Sequence, residues 1–274
     1  MSSLFTCPLC AAPLCRTERA YSCPGGHSYD IAREGYVHLL PANRLHSKAP
    51  GDDKAMAAAR GRFLSAGHYA HLKDALADLT LAHTGQNPTL LDAGCGEGYY
   101  TSALHSALRN AGRCPHTAGV DLSKPSLRQA ARREGEAEFA VASVYHLPVA
   151  DESIDLLLNC FSPLAAEEFR RVIKPGGLFL YVVPGPKHLW EMKEVLYKQP
   201  YKNPQETVAY EGFTYLDIVP VGRTVHLEGA SIMDLFGMTP YAWKTPKAGV
   251  DRLAGRSTLD VQAQFFVHVF RRMD

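Results

Sequence analysis

The sequence predicts an α/β protein whose main domain is a parallel sheet wrapped by helices, preceded by a small N-terminal metal-binding module. Three observations predict this fold. From residue 89 onward, short apolar runs alternate with helical stretches, which is the pattern of strand–helix–strand units. A glycine-rich loop follows the first of these runs. Paired cysteines and a histidine lie within the first 27 residues.

The composition is typical of a globular protein with a sizeable core. The chain has 274 residues, of which 46% are hydrophobic and 21% charged, and its formal net charge is +1. The longest apolar run, Leu178 to Val183, is far shorter than the roughly 20 residues that cross a bilayer, and no signal peptide is visible. We therefore expect a cytoplasmic protein with no membrane partner. The net charge predicts no general attraction to nucleic acid, although residues 1–62 hold eight basic against five acidic side chains, a balance compatible with RNA.

Four potential metal ligands form two short pairs near the N-terminus. The pattern C-x2-C-x12-C-x3-H places Cys7 and Cys10 before a hairpin-length insert, and Cys23 and His27 after it. Three thiolates and one imidazole form a closed tetrahedral set, which is typical of structural Zn²⁺. A segment of about 40 residues rarely buries enough apolar surface to fold alone, and zinc binding can supply the missing stability. Cys15 falls outside this spacing, and chance cysteines in a small core are the weaker interpretation.

A strand and a linker are predicted after the metal ligands. Alternating side chains from Tyr36 to Leu40 predict a short strand that closes the metal module. Its tyrosine could stack on RNA bases, but a place in the module's small core is the more common role. The polar stretch 42–52, which contains Pro50 and Gly51, is typical of a linker. We therefore expect a zinc-binding module over 1–41, a linker and helix over 42–66, and the main domain over 67–274.

Two helices are predicted before the glycine-rich loop. Asp52 or Asp53 can cap a helix that starts near Lys54, because a carboxylate accepts hydrogen bonds from free backbone N–H groups at a helix start. A second helix follows residues 67–69. Its core-facing residues are Leu72, Leu76 and Leu79.

The loop after the first apolar run predicts a nucleotide-binding site. Residues 89–91 are typical of a buried strand, and a helix is predicted from Tyr99. Gly94, Gly96 and Gly98 lie at alternate positions, where the absence of a Cβ lets the backbone turn sharply and approach a ligand. The first N–H groups of the helix then face that ligand. The G-x-G-x-G spacing, with Tyr99 in place of the last glycine of the dinucleotide fingerprint, disfavours an NAD-dependent oxidoreductase.

Two acidic residues accompany this loop. Asp92 lies two places before the first glycine, and Asp121 ends the next apolar run, 23 residues after Gly98. A carboxylate at about that distance accepts hydrogen bonds from the hydroxyl groups of a ribose. A plain tight turn is the alternative, and the second acid favours a nucleotide-type cofactor over it.

The later apolar runs predict further strands. Strands are expected over 139–142, 154–159, 178–183, 213–225 and 261–271. Helices are expected after the cap Ser123, over 167–173, up to about Tyr197 and over 231–236, with a polar loop over 201–212. Ligands of such sheets bind at the carboxyl ends of the strands. The residues expected there are Gly94, Asp121, Ser143, Asn159 and Pro184.

Together these stretches resemble the bacterial 23S ribosomal RNA guanine-N1 methyltransferases, in which a zinc module precedes a class I S-adenosylmethionine-dependent methyltransferase domain. The acid-x-Gly-x-Gly-x-Gly loop with its second acid is common to class I methyltransferases. The zinc pattern, Gly67-His68-Tyr69 and the segment from Pro184 to His188 are more specific. The chain departs from the family pattern over 159–162 and 201–210, where subfamilies that methylate neighbouring guanines of one rRNA hairpin differ.

The resemblance implies a Rossmann-like class I methyltransferase sheet, S-adenosyl-L-methionine and structural Zn²⁺ as cofactors, and 23S rRNA as partner. The implied zinc ligands are Cys7, Cys10, Cys23 and His27. The candidate cofactor-binding residues are Tyr69, Asp92, Gly94, Cys95, Gly96, Glu97, Gly98, Tyr99, Asp121, Leu122, Ser143, Asn159 and His188. The alternative for Tyr69 is packing under the sheet, and for His188 it is a helix start.

The predicted activity is methyl transfer from S-adenosylmethionine to N1 of a guanine in a hairpin of 23S rRNA. That nitrogen carries a proton which must leave; a group near 159–162 or His188 could assist, but no catalytic residue is identified. Because the N1 edge is paired in duplex RNA, the target must be looped or flipped out. Trp190, Tyr241 and Trp243 could stack on it, but a place in the core is the more common role of such aromatic residues. The alternatives are a small-molecule methyltransferase whose zinc module is a lid or oligomerisation element, and a non-catalytic RNA-binding protein. A homodimer is left open.

Overall fold

The computed structural model describes residues 2–44, 51–205 and 209–274, which form two sheets. A four-stranded antiparallel sheet lies at the N-terminus, and an eight-stranded sheet with helices on both faces makes up the rest. The predicted α/β architecture with a small N-terminal module is therefore confirmed. No helix within these ranges is long and apolar enough to span a bilayer.

Two hairpins form the small sheet. Its strands are β1 (Ser2–Thr6), β2 (Pro13–Arg16), β3 (Ala20–Ser22) and β4 (Ser28–Asp30), each antiparallel to the next. Leu14 and Tyr21, on the two central strands, are fully buried. One pair of metal-ligand candidates lies in the turn between β1 and β2, and the other lies between β3 and β4. The fold of the small sheet therefore brings the two pairs to the same end.

The strand predicted from Tyr36 to Leu40 exists as β5 (Tyr36–His38), but it does not close the metal module. It pairs in parallel with β8 (Glu138–Val141) at the edge of the large sheet, from Tyr36 opposite Phe139 to His38 opposite Val141. The module holds β5 only through an isolated antiparallel bridge between Val37 and Ile31, so the prediction missed the main pairing, because an alternating pattern indicates which face of a strand is buried but not which strand it pairs with.

The large sheet has the strand order β11-β12-β10-β9-β6-β7-β8-β5. Its other strands are β6 (Thr89–Ala93), β7 (His116–Asp121), β9 (Ile154–Cys160), β10 (Ile173–Pro184), β11 (Phe213–Glu228) and β12 (Thr258–Arg272). Strands β5 to β10 run parallel, and β12 is antiparallel to both of its neighbours. On either side of β6 the chain proceeds in opposite directions across the sheet, which opens a crevice at the carboxyl ends of the strands.

Helices connect these strands. They are α1 (Lys54–Ser65), α2 (Ala70–His83), α3 (Tyr99–Asn110), α4 (Lys124–Arg133), α5 (Ala166–Val172), α6 (Trp190–Leu196), α7 (Ala230–Gly237), α8 (Tyr241–Lys244) and α9 (Lys247–Ala254). Both predicted caps are confirmed: Asp53 accepts the Met56 N–H at 2.8 Å, and the Ser123 hydroxyl accepts the Ser126 N–H at 3.2 Å. Helices α8 and α9 were not predicted from the sequence. Residues 45–50 of the predicted linker and 206–208 of the predicted polar loop lie outside the described residues.

Each face of the large sheet carries its own core. Leu90 on β6 packs on one face with α2, α3, α6 and α7, whereas its neighbour Leu91 packs on the other face with α5. This separation follows from the two-residue period of a strand, which points successive side chains to opposite faces. The second core also contains Phe5, Leu14 and Tyr21 of the small sheet. The metal module therefore shares its hydrophobic core with the large sheet.

Glu138, at the start of β8, fixes the metal module to the large sheet. Its buried carboxylate accepts hydrogen bonds from the Ser3 hydroxyl at 2.6 Å and the Leu4 N–H at 3.1 Å, and it pairs with His116 at 2.8 Å. Burial by itself raises the pKa of Glu138, but the hydrogen bonds from His116 and Ser3 outweigh burial and hold the pKa below its usual value. On the other side of the module, the Thr6 N–H donates to the Pro148 carbonyl at 2.8 Å, in the loop after β8.

Candidate cofactor pocket and metal centre

The loop between β6 and α3 depends on its three glycines. Gly94, Gly96 and Gly98 have φ angles of +90°, +55° and +76°, in the left-handed region that side chains disfavour. A Cβ on Gly98 would lie 2.9 Å from the Cβ of Ala130, and one on Gly94 would lie 2.1 Å from the Ser162 hydroxyl oxygen. The glycines therefore allow both the turn and the close approach of neighbouring elements.

Asp92 lies under this loop with its carboxylate only 1% exposed. One oxygen accepts a hydrogen bond from the Thr101 hydroxyl at 2.6 Å, and the other has no partner. Burial raises the pKa of Asp92 to about 7, which the bond from Thr101 only partly opposes. A buried acid with a raised pKa and an unpaired oxygen is a good binding partner for a cation, because a nearby positive charge would stabilise its ionised form.

Asp121, the second predicted acid, closes the far side of the loop. Its carboxylate accepts the Gly96 N–H at 2.9 Å with one oxygen and the Ser123 N–H at 2.7 Å with the other. Burial raises the pKa of Asp121, against the lowering effect of these two N–H groups and of Arg60. The carboxylate thus ties the glycine-rich loop to the start of α4.

Two arginines that the sequence did not single out lie next to the same loop, and one of them donates a hydrogen bond to it. Arg60 on α1 pairs with Asp52, donates to the Met238 carbonyl at 3.1 Å, and lies 3.9 Å from the Cβ position of Gly96. Arg133 at the end of α4 donates to the Glu97 carbonyl at 3.3 Å. Both positive charges oppose the rise in pKa that burial imposes on the Glu97 side chain. These residues come from distant parts of the chain, so the local sequence pattern carries no signal for them.

Asn159 occupies the carboxyl end of β9 and is fully buried. Its Nδ2 group donates to the carbonyls of Ala93 at 3.3 Å and Pro163 at 3.1 Å. Because both neighbours are acceptors, the orientation of the amide is determined, and Oδ1 is left without a partner. This oxygen is available to accept a hydrogen bond from a ligand.

Tyr69 and His188 meet on the other side of the pocket, against Phe265 of β12. The Tyr69 ring centroid lies 6.1 Å from that of His188 and 4.9 Å from that of Phe265. The Gln264 N–H donates to Nδ1 of His188 at 3.2 Å, which leaves the proton of the neutral ring on Nε2. Burial, together with the charge of Lys193, lowers the pKa of His188 to about 3. His188 is therefore a hydrogen-bond donor and a poor base at neutral pH.

The structure brings most of the predicted cofactor-binding residues to one edge but turns some side chains away from it. The Cys95 thiol is buried in a cluster with Leu127 and Phe139, and Leu122 packs against the same cluster. Tyr99 is half-buried with the Arg133 guanidinium 5.7 Å from its ring centre. The Cys95 thiol is therefore committed to the core, so at this position the backbone is the part that can contact a ligand. Ser143 accepts the Tyr145 N–H at 3.3 Å in the loop after β8.

Whether these residues fit S-adenosylmethionine can be judged from the buried polar atoms that lack a hydrogen-bond partner. Of ten such side-chain atoms in the described ranges, half surround the glycine-rich loop. They are Asp92 Oδ1, Glu97 Oε1, Asn159 Oδ1 and the hydroxyls of Tyr69 and Tyr100. Buried polar groups are normally hydrogen-bonded, so this concentration of unpaired oxygens, three of which are carbonyl or carboxylate oxygens, indicates missing ligands that supply hydrogen-bond donors and positive charge. The ammonium group, ribose hydroxyls and sulfonium of S-adenosylmethionine fit that description.

The four predicted zinc ligands converge at the end of the small sheet, with their ligand atoms all within 4.8 Å of one another. The Cys10 and Cys23 sulfurs are 3.7 Å apart, and Nδ1 of His27 lies 3.4 Å from the sulfurs of Cys7 and Cys23. A tetrahedral ion with Zn–S bonds of about 2.3 Å requires sulfurs about 3.8 Å apart. The cluster therefore has the size and chemistry of a closed structural zinc site.

The backbone and a neighbouring tyrosine support this metal site. Gly26, with φ of +82°, makes the turn in which its N–H donates to the Cys23 carbonyl at 3.0 Å. The Tyr29 hydroxyl lies 3.1 Å from the Cys7 sulfur and is positioned to donate to it. Such an outer hydrogen bond orients a thiolate ligand.

Two family models match the chain. The model described as "RlmA, N-terminal", a zinc ribbon, matches residues 5–48, and the model described as "Methyltransferase domain" matches residues 91–181. The first range contains all four metal ligands, and the second contains the glycine-rich loop and the carboxyl end of β9.

Three curated proteins are similar to the chain over much of their length. A protein of Micromonospora griseorubida, provisionally named a 23S rRNA (guanine-N1)-methyltransferase, is 35% identical over 88% of each chain. The 23S rRNA (guanine(748)-N1)-methyltransferase of Streptomyces fradiae is 38% identical over 69% of this chain and 66% of its own. A Bacillus subtilis protein with the same provisional name as the first is 32% identical over 94% of each chain.

Proposed function

The chain belongs to the family of 23S rRNA (guanine-N1)-methyltransferases, and from this premise we propose that it transfers a methyl group from S-adenosylmethionine to N1 of a guanine in a hairpin of 23S rRNA. The proposal is carried by one observation: the length shared with these relatives contains both a Cys3His cluster and a cofactor pocket with unpaired buried polar atoms. The proposed division of the chain is a zinc module over 1–41, a linker and helix over 42–66, and a methyltransferase domain over 67–274.

The proposed cofactor ligands surround the crevice at the carboxyl ends of β6, β7 and β9. Asp121 would accept hydrogen bonds from the ribose hydroxyls, while Asp92 and Glu97 would balance positive charge, and Tyr69 and His188 would line the other side. S-Adenosylmethionine, when bound, supplies an electrophilic methyl group. The protein's own contribution is to hold the guanine in line with this group, since orientation supplies much of the rate of such a transfer.

The proton on guanine N1 needs an acceptor, and the pocket offers hydrogen bonding but no strong base. His188 is unsuited, because its pKa is about 3 and its neutral ring already uses Nδ1 to accept the Gln264 N–H. Asn159 Oδ1 is a buried, unpaired acceptor in the pocket and can hold a donor of the guanine edge. In this proposal Asn159 orients the base, and the proton passes to water.

The zinc module is proposed to dock the RNA. It contacts the loop after β8 at Pro148, close to the predicted cofactor-binding residue Ser143. A cavity of about 560 Å³ on its surface is lined by Arg16, Arg19 and Arg33 together with two acidic residues. Arginines in such a groove suit phosphate groups of a folded RNA. Charge reversal by Arg19→Glu and Arg33→Glu should raise the KM for 23S rRNA and leave the affinity for S-adenosylmethionine unchanged.

The alternatives make different predictions. A zinc module acting as a movable lid for a small molecule is disfavoured by its shared core with the large sheet and by the buried Glu138 contacts. A non-catalytic RNA-binding protein would bind RNA without turnover. The proposed place of action is the cytoplasm, where ribosomal RNA is modified. A homodimer is a separate hypothesis that sedimentation of the zinc-loaded protein would test.

The decisive experiment is labelled methyl transfer from S-adenosylmethionine to protein-free 23S rRNA that lacks its natural modifications, with the modified base mapped. Incorporation at N1 of one guanine is expected. Cofactor binding should be measured on the same preparation by calorimetry. Binding without incorporation into RNA would refute the rRNA proposal and favour a small-molecule substrate.

A further inference from the structure

Phe161 combines an exposed aromatic ring with an unfavourable backbone. The residue is 48% exposed, and its φ angle is +57°. A bulky side chain in the left-handed region is a conformational outlier, and burying a large apolar ring is the normal preference. Such strain is retained where the surrounding structure enforces it, often at a functional site. The exposure and the backbone strain of Phe161 together indicate a functional position.

Phe161 lies at the carboxyl end of β9, on the edge of the sheet that carries the proposed cofactor pocket. It follows β9 directly, two residues after Asn159, and its N–H donates to the Val182 carbonyl of β10 at 3.4 Å. The next residue, Ser162, packs against Gly94 so closely that no Cβ would fit there. The turn that carries Phe161 is thus held between the glycine-rich loop and solvent.

The ring of Phe161 continues an aromatic surface that begins inside the protein. Its centroid lies 5.5 Å from that of the buried Phe265, and 6.4 Å from that of His188 at an interplanar angle of 25°. Tyr69 packs behind both of these residues. Phe161 is the exposed end of this cluster.

We propose that Phe161 is the stacking residue for the purine base that receives the methyl group. A planar base suits this position because aromatic stacking uses a ring face, while the unpaired Asn159 Oδ1 nearby accepts from an edge that carries N–H donors. Guanine presents such donors at N1 and at its exocyclic amine. The inference rests on the proposed function and adds the residue that holds the extruded base.

The test compares four substitutions at this position in the full-length, zinc-loaded protein. Phe161→Tyr keeps an aromatic face and should retain activity within about twofold of the native protein. Phe161→Leu and Phe161→Ala should lower kcat/KM for 23S rRNA by about tenfold to a hundredfold, the range associated with base stacking. The affinity for S-adenosylmethionine should stay within about twofold in all of them.

Phe161→Gly separates stacking from folding. Glycine accepts a φ of +57° without strain, so Phe161→Gly, which loses the same ring packing as Phe161→Ala, should be more stable than Phe161→Ala. It should nevertheless lose methyl transfer as Phe161→Ala does. Leu216→Ala, which shortens another exposed apolar side chain on β11, is the matched control and should leave transfer unchanged.

The outcomes distinguish this inference from the function on which it rests. No transfer to 23S rRNA by the native protein refutes the proposed function. Native transfer with full activity of Phe161→Leu or Phe161→Gly refutes the stacking role alone. A loss of S-adenosylmethionine affinity that matches the loss of transfer would place Phe161 in the cofactor pocket and also overturn the inference.

Discussion

Replacing Asp92 with Asn should remove a pH dependence from cofactor binding. The Asp92 carboxyl is 1% exposed, and burial raises its pKa to about 7. Near neutral pH the free protein is therefore a mixture of molecules with a neutral and an ionised Asp92. A cationic ligand favours the ionised form, so binding should release a proton and should strengthen as the pH rises.

The size of this effect follows from the pKa. If only the ionised form binds well, the competent fraction increases from about one tenth at pH 6 to about nine tenths at pH 8. The affinity for S-adenosylmethionine should then rise about tenfold, or ~1.4 kcal/mol, across this interval. Asp92→Asn should show no such rise from this group and should bind more weakly than the native protein at pH 8.

Isothermal titration calorimetry of both proteins at several pH values provides the assay. The ratio of native to variant affinity cancels the titration of the ligand's own amine, which both proteins experience equally. Asp155→Asn is a matched control, because Asp155 lies at the opposite end of β9, where Lys174 and Thr89 outweigh burial and lower its pKa. That variant should keep the native pH dependence of binding.

Equal pH dependence in the native protein and Asp92→Asn would refute this reasoning. Stability offers an independent check. Because the folded pKa of Asp92 is raised, the folded protein keeps this proton between about pH 4 and about pH 7, whereas the unfolded chain loses it, so the free energy of unfolding falls as the pH rises through that interval. Relative to the native protein, Asp92→Asn should therefore gain up to about 4 kcal/mol of unfolding free energy over that interval. A constant difference between them would contradict the raised pKa.

Three further predictions concern the loop, the module contact and the metal. Gly98→Ala would place a Cβ 2.9 Å from that of Ala130 at a φ of +76°. In a urea titration this variant should lose about 2–4 kcal/mol of unfolding free energy, and its cofactor binding should weaken. The control Gly112→Ala, with a φ of +73° and no atom within 4 Å of the new Cβ, should lose only about 1–2 kcal/mol. Glu138→Gln should lose about 1–3 kcal/mol of unfolding free energy at neutral pH. Since the folded pKa of Glu138 is lowered, this loss should shrink as the pH falls through that pKa. A loss independent of pH would contradict the lowered pKa. Cys23→Ser should lower the melting temperature of the whole chain, as should removal of zinc by a chelator, because the module shares a core with the large sheet. If the large-sheet domain melted in a separate transition at an unchanged temperature, that coupling would be disproved.

Features governed by short-range chemistry could be predicted from the sequence. The four zinc ligands lie within 21 residues, from Cys7 to His27, so their spacing alone indicates one ion. The cap at Asp53 and the glycine-rich loop are likewise local, because they depend on backbone groups a few residues away. The order of strands and helices from β6 to α7 followed from the same kind of pattern, whereas the short helices α8 and α9 did not.

Other features depend on partners that no local pattern identifies. Strand β5 forms its ladder with β8 of the large sheet and only a single bridge with the module, since the alternation of a short strand does not identify its partner strand. Arg60 and Arg133 came to the glycine-rich loop from α1 and α4, by packing between distant segments.

The zinc cluster, the glycine-rich loop for a nucleotide-type cofactor and the class of fold are thus encoded in local stretches of sequence, because each depends on backbone geometry and ligand spacing over a few residues. Three features emerge only when distant segments pack together: the unpaired polar atoms around the crevice, the neutral state of His188, and the exposure of the Phe161 ring. Those properties arise from burial and from neighbours far apart in the chain, and burial is a property of the folded whole.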